Sequence, residues 1–461
     1  MGRTLATIVA AIALLVGLAL LDHGREREPA GDALAGRVAD EQESGAVTAA
    51  PAGPAGGGPG GSLTDCLGSF AATPPERSEF PGLDERGVEE ISDRVERIRE
   101  LKFSGPVDAT FLGNAALDRR IDELAGTKGA RALAARQGAA LELLGAIPEG
   151  SDLYELTTQA LAAQVVGLYV PETKQLLVAT SGDPGAVEEL TLAHELEHAL
   201  ADDDLGLPST GKVEAGEGDR DLAAESLVEG DATLTMELYA LRYVDLSDQL
   251  DLGDDPQVAD AGLGKLPDFL RRQLLFPYEA GLQYVCDRFE QGGWQAVDDA
   301  YRDPPASTAE LLGLRDADPV EAPPAGHLDA PWRPVLRDQL GAAALAWLFA
   351  APGGDPDRAL PDPREPIGGW AGDTVTLWER PGGDSALSLS IVDEGGSLCG
   401  AMIAWYAAAN PEAELSREGE TTSFSDEAAG RAAAVSCSGE SVLVGIGPDQ
   451  ETAATLAAEG S

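Results

Sequence analysis

Apolar residues recur at intervals of three and four over Val88, Ile91, Val95, Ile98 and Leu101, a spacing that gathers them on one face of a helix. The pattern then alternates through PVDATFLG, residues 106–113, which predicts a strand, and Asn114 is placed to cap a helix running to about Leu124. Helical spacing returns over 129–145 and 152–163. Beyond it, QVVGLYV and QLLVAT flank the turn PETK and predict a β-hairpin. The hairpin leads into a helix from Val187 to about Ala201, striped by Leu190, Ala193, Leu196, Ala199 and Leu200. After a polar, Gly-containing loop a further helical pattern starts near Asp221, passes through Glu225, Glu229, Leu234 and Leu238, and ends at about Tyr243. More helices are predicted at 266–275, 278–291 and 294–302, with FP and GG as the breakers between them. Past the Pro-rich run LPDPREP the texture changes to short strands, TVTLWE, ALSLSIV, AAAVSC and VLVGIG, interleaved with helices at 397–409 and 449–458.

The start of the chain reads differently. Thr4 to Leu21 carries no charge, and as a helix those 18 residues would reach about 27 Å, close to the apolar thickness of a bilayer. Arg3 precedes it, which predicts that the body lies outside the cytoplasm, either anchored in the membrane through this segment or secreted. Residues 24–62 are rich in Ala, Gly and Pro and read as a linker with too little apolar surface to order itself. The expected organisation is therefore an anchor or signal segment at 1–23, the linker at 24–62, a mainly helical domain with a small sheet and an edge hairpin at 63–350, and a small α+β domain at 365–461, an α+β chain as a whole.

Composition narrows the partners. With 80 acidic against 32 basic residues the formal charge is −48, so the chain lacks the basic face that a phosphate backbone requires, and nucleic acid is excluded as a partner. The four cysteines, in a chain expected to be exported, suggest the disulfides Cys66–Cys286 and Cys399–Cys437.

The chemistry concentrates in HELEH, residues 194–198. Two histidines four apart on a helix project from one face a turn apart, so His194 and His198 can offer ring nitrogens to one ion. Zinc suits two neutral imidazoles and a carboxylate with one position left for water, and Glu195, beside the first ligand, is then the general base that takes the water's proton. Only four histidines exist in the chain, and two of them are this pair. For the third ligand the run DLAAESLVEGDATLTM offers Glu225, Glu229 and Asp231 on a second helix. Glu229 is the choice; Glu225 lies one turn earlier on the same face, and Asp231 points roughly 200° away and is expected to support rather than bind. Glu197, a charge at an inner position of the motif, is expected to face solvent. Tyr278 and Tyr301 are the candidate donors to an oxyanion.

HELEHAL followed by LVEGDAT, with the hairpin VVGLYVPETKQLLVAT before them and FPYEAGLQYV and GGWQAVDDAYRDPPASTAELL after them, resembles a group of predicted bacterial envelope zinc peptidases whose arrangement is similar to the gluzincin clan. The resemblance covers roughly residues 84–345. It implies a zincin-like fold, peptide or protein substrates, zinc on His194, His198 and Glu229, and Glu195 as base. It also implies that the strand through Gly167 and Tyr169 is the edge along which a substrate peptide adds. Two features depart from the better-known members: 30 residues separate His198 from Glu229, and the position four after the ligand, commonly a carboxylate, is Thr233. The competing expectation is a non-catalytic envelope protein with a structural or degenerate metal site.

Overall fold

A computed structural model describes residues 76, 80–162, 167–179, 185–208, 217–244, 263–426 and 428–460. The expected anchor, the linker and Cys66 lie outside the described residues, and among these no helix is long and apolar enough to cross a membrane.

The chain is a mixed α+β protein with one small and one larger sheet. Its first described helix, α1 (Glu85–Arg99), starts where the Asp84 carboxylate accepts the Gly87 amide, and it buries the predicted stripe of Val88, Ile91, Val95 and Ile98. The small sheet has the order β1-β3-β2, from β1 (Asp108–Leu112), β2 (Gly167–Val170) and β3 (Gln175–Ala179). β1 runs parallel to β3, whereas β2 and β3 form the predicted antiparallel hairpin closed at Val170 and Gln175. Three helices lie between β1 and β2: α2 (Asn114–Ala125), α3 (Lys128–Leu143) and α4 (Leu153–Ala162). Leu117 and Ile121 of α2 pack with Leu168, Val170 and Leu177 of the hairpin.

Next come α5 (Ala186–Asp204), which carries HELEH and packs on β2, and α6 (Gly218–Tyr243), which packs on α5. Along α6 runs α7 (Asp268–Gly292), a single helix where the sequence pattern predicts two. Pro277, the expected breaker, stands in its interior with Phe276 and Tyr278, all three buried. Packing of this segment against α6 outweighs the hydrogen bond that proline removes. The helices touch backbone to backbone at Gly230 and Gly281: a Cβ on Gly281 would stand 2.0 Å from the Ser226 carbonyl oxygen. Two shorter helices follow, α8 (Trp294–Arg302) and α9 (Thr308–Leu311).

The larger sheet is antiparallel, with the order β4-β5-β6-β10-β9-β8-β7. Its strands are β4 (Arg333–Asp338), β5 (Trp370–Glu379), β6 (Ser385–Asp393), β7 (Glu414–Glu418), β8 (Thr421–Asp426), β9 (Arg431–Ser438) and β10 (Ser441–Gly447). The apolar helix α10 (Gly341–Ala350) follows β4, α11 (Leu398–Ala409) follows β6, and α12 (Gln450–Leu456) packs on β9 and β10. Cys399 of α11 is bonded to Cys437 of β9, as expected; Cys286 is disulfide-bonded too, and Cys66 is its expected partner. One hydrophobic core continues from Val88 and Leu196 through Leu345 and Phe349 to Leu389 and Val444, so the metal-motif helices and the larger sheet share an interior.

Candidate metal centre

Helix α5 is buried over most of its length because it is enclosed by α1, β2 and α6. That enclosure brings three of the predicted residues together. Nε2 of His194 lies 3.0 Å from Nε2 of His198 and 3.2 Å from Oε2 of Glu229, and Nε2 of His198 lies 3.5 Å from the same carboxylate oxygen. Three ligands about 2.0–2.1 Å from a tetrahedral ion stand about 3.4 Å apart, so the triangle has the dimensions of one face of such a site. Two imidazoles and a carboxylate are a zinc-type donor set, and three converging lone pairs repel one another unless a cation or a proton lies among them. The donors therefore fit a tetrahedral divalent ion. Among the described residues this is the one cluster of at least three such groups with ligand atoms close enough to share an ion.

Electrostatics at the triangle follow from burial. Burial alone would raise the Glu229 carboxyl, but the His198 charge and hydrogen bonds to both rings outweigh it and hold the group well below the usual carboxylate range. The His194 ring is pushed down by burial. For His198 burial acts in the same direction, yet the Glu229 charge and hydrogen bond win and the ring rises. Glu195, entirely buried, is pushed up to about 7 by desolvation.

The edge strand touches the proposed base. The Tyr169 amide donates to Oε2 of Glu195 at 2.7 Å, and the Tyr169 hydroxyl donates to Asp202, near the end of the same helix, at 2.7 Å. An antiparallel ladder directs a residue's N–H and C=O to the same side, so Leu168 and Val170 face β3 while the backbone groups of Gly167 and Tyr169 face the outer edge. All four residues of β2 are nonetheless buried.

Glu225 is partly exposed and not among the convergent ligands; burial and the neighbouring Glu229 push its carboxyl up. Asp231 is turned away, as its helical position predicts. It accepts from Arg99 Nε at 2.9 and 3.0 Å and from the Tyr301 hydroxyl at 3.0 Å, which commits Tyr301 to a position behind the cluster. Tyr278, fully buried, is hydrogen-bonded to Glu229 and lies with its ring centroid 6.4 Å from that of His194.

One expectation is corrected. Glu197 does not face solvent but is completely buried, its Oε2 3.7 Å from Nδ1 of His198. Helix α5 has no solvent face at this turn, so the side chain turns toward Asp231 and Arg99, and burial followed by the Asp231 charge pushes its carboxyl well above the ordinary value. The sequence reading missed Arg99, which is fully buried behind the cluster with Nε on Asp231 and Nη2 on Asp298 at 2.6 Å. The signal for it was Asp231 itself, an acid on the far side of α6 from Glu229, where a buried charge demands a cation.

No protein-family model, no curated protein and no solved structure matches the chain.

Proposed function

We propose that the chain is a zinc-dependent peptidase with a zincin-like, gluzincin-type arrangement, acting outside the cytoplasm on peptide or protein substrates. The observation that carries this reading is the triangle of His194 Nε2, His198 Nε2 and Glu229 Oε2 with Glu195 next to it on the same helix. The export side of the reading is supported by the uncharged stretch Thr4–Leu21 and by the Cys399–Cys437 disulfide.

His194, His198 and Glu229 would hold the ion, and an ion there supplies Lewis-acid activation of water and of the scissile carbonyl. Glu195 takes the proton of the attacking water and returns it to the leaving amine. The Tyr278 hydroxyl, hydrogen-bonded to Glu229, would serve a developing oxyanion by leaving that carboxylate. The outward backbone groups of Gly167 and the outward carbonyl of Tyr169, whose amide is held by Glu195, would receive an extended peptide as an added strand.

The test is metal analysis of the full chain with hydrolysis of a denatured protein. Wild type takes up one zinc per chain and cleaves; His198→Ala loses the metal; Glu195→Gln keeps it while turnover falls about 10²- to 10⁴-fold. Cleavage by Glu195→Gln at the wild-type rate sinks the assignment of the base. A second reading, a structural metal site in a non-catalytic envelope protein, is favoured by the burial of all three ligands and of the edge strand. Zinc uptake without hydrolysis decides for it.

A further inference from the structure

Glu197 poses a chemical question that the metal cluster does not answer. It is a carboxylic acid at zero exposure whose side-chain neighbour is another acid, Asp231, with which it can only share a proton, and neither oxygen accepts from an N–H donor among the described residues. Leaving such a group buried and unmet costs about 1–3 kcal/mol, more for a charge. The nearest basic nitrogen on its own helix has the complementary defect. Nδ1 of His198 is also buried without a hydrogen-bond partner among the described residues, and it stands 3.7 Å from Glu197 Oε2. A displacement of less than about 1 Å brings that pair to hydrogen-bond distance. His198 offers Nε2 to the ligand triangle, so its one remaining proton must sit on Nδ1, pointing at Glu197.

We propose that Glu197 is a positioning residue: it accepts the Nδ1–H of His198, fixes that ring with Nε2 toward the metal, and is itself kept in the interior by the Arg99–Asp231 pair. Metal-bound histidines commonly donate their second nitrogen to a carboxylate, and loss of that partner typically weakens metal binding 10- to 100-fold. Here the partner comes from the adjacent residue of the same helix. Such an acid is tolerable only with a cation nearby. Arg99 supplies it from α1, stacked 4.5 Å over the Trp294 ring and paired with Asp231 of α6 and Asp298 of α8. Four helices thus converge behind His198. Without Arg99, the two buried acids Glu197 and Asp231 would share an interior position with no counter-charge.

This inference rests on the metal-centre reading, and its test separates the two. Zinc affinity of the full chain is measured by chelator competition for wild type, Glu197→Gln and Glu197→Met, alongside thermal unfolding of each metal-free protein. Gln keeps an acceptor oxygen, while Met fills a similar volume without one. The expected result is zinc binding weakened about 10- to 100-fold in Glu197→Met and within a few-fold of wild type in Glu197→Gln, with metal-free Glu197→Met no less stable than wild type. A role in packing alone would move stability and leave affinity untouched. Should Glu197→Met fail to fold, the ¹⁵N spectrum of zinc-loaded wild type still decides: a slowly exchanging proton on Nδ1 of His198 supports the proposal and a freely exchanging one overturns it. Equal zinc affinity in folded Glu197→Met and wild type also overturns it and spares the metal centre. A wild type that takes up no zinc removes both.

Discussion

Glu237 lies two turns beyond Glu229 on α6, is 3 % exposed, and has only burial acting on its carboxyl, which is pushed up to about 8 from an ordinary 4.5. In the window between those values the folded protein holds the proton and the unfolded chain does not, so raising the pH favours unfolding. Below pH 4.5 both states are protonated and the group is neutral in its effect; above 8 both are ionised and the full penalty, roughly 3–5 kcal/mol, applies. Glu237→Gln stays uncharged throughout. Urea unfolding of the two proteins is expected to agree closely at pH 5 and to diverge in favour of the variant by pH 9; parallel pH profiles would contradict the burial argument. Residues of this kind divide the readable from the unreadable in the sequence. The candidate ligand set was legible because a shared ion needs a fixed spacing, His194 and His198 four positions apart, and a second helix with an acid on the right face. Glu197 and Glu237 were not, because a carboxylate in a helix carries no mark of burial: the helices that close over it come from distant parts of the chain.

At the scale of elements the decisive contact is the crossing of α6 and α7. A Cβ on Gly281 would fall 2.0 Å from the Ser226 carbonyl oxygen, and one on Gly230 would fall 2.2 Å from the Gly281 carbonyl carbon. Backbone atoms cannot turn aside as a side chain can, so Gly281→Ala must spread the helices. The expected cost is about 1–3 kcal/mol, and Tyr278, one turn earlier on α7, shifts away from Glu229 with it. Denaturant unfolding and zinc competition should both report the change, and an alanine variant with wild-type stability would mean that the helices have slack the geometry denies. This contact also explains where sequence reading failed. The glycine of LVEGDAT could be seen but not its partner 51 residues later, and Pro277 looked like an end when it lies inside a helix held by tertiary packing. The alternating runs of β5, β6, β9 and β10 were readable. Of the missed strands, β7 is exposed at every position, β4 contains Pro334 and a register shift between Pro334 and Leu336, and β8 alternates in burial but is a polar run with Phe424 as its one large apolar residue. Helix α10, GAAALAWLFA, is buried on all sides and so has no polar face to give it a period.

For the molecule as a whole the question is whether the metal-motif helices stand without the larger sheet. The Asp338 carboxylate on β4 accepts the Gly218 amide at the start of α6 at 2.8 Å, and β4 is held by pairing with β5. On β5 itself Asp373 accepts the amides of Leu340 and Gly341 at 2.8 Å and so caps α10, the helix that carries Leu345, Trp347 and Phe349 into the shared core. Phe269 and Phe276 of α7 meet Trp347 edge to face at 5.5 and 5.4 Å, which ties the helix bearing Tyr278 to the same element. A chain ended at residue 350 loses β5, and with it the partner of β4, the cap of α10 and the apolar surface that α10 covers. Such a chain is expected to lack a cooperative unfolding transition and to bind zinc at least tenfold more weakly than the full protein. The full chain is expected to unfold in one step, with tryptophan fluorescence and far-ultraviolet circular dichroism following the same curve, because the metal-motif helices and the larger sheet share one core. Two separated transitions, or a truncated chain that holds zinc as firmly as the whole, would show that the sheet is an independent body leaning on the metal region.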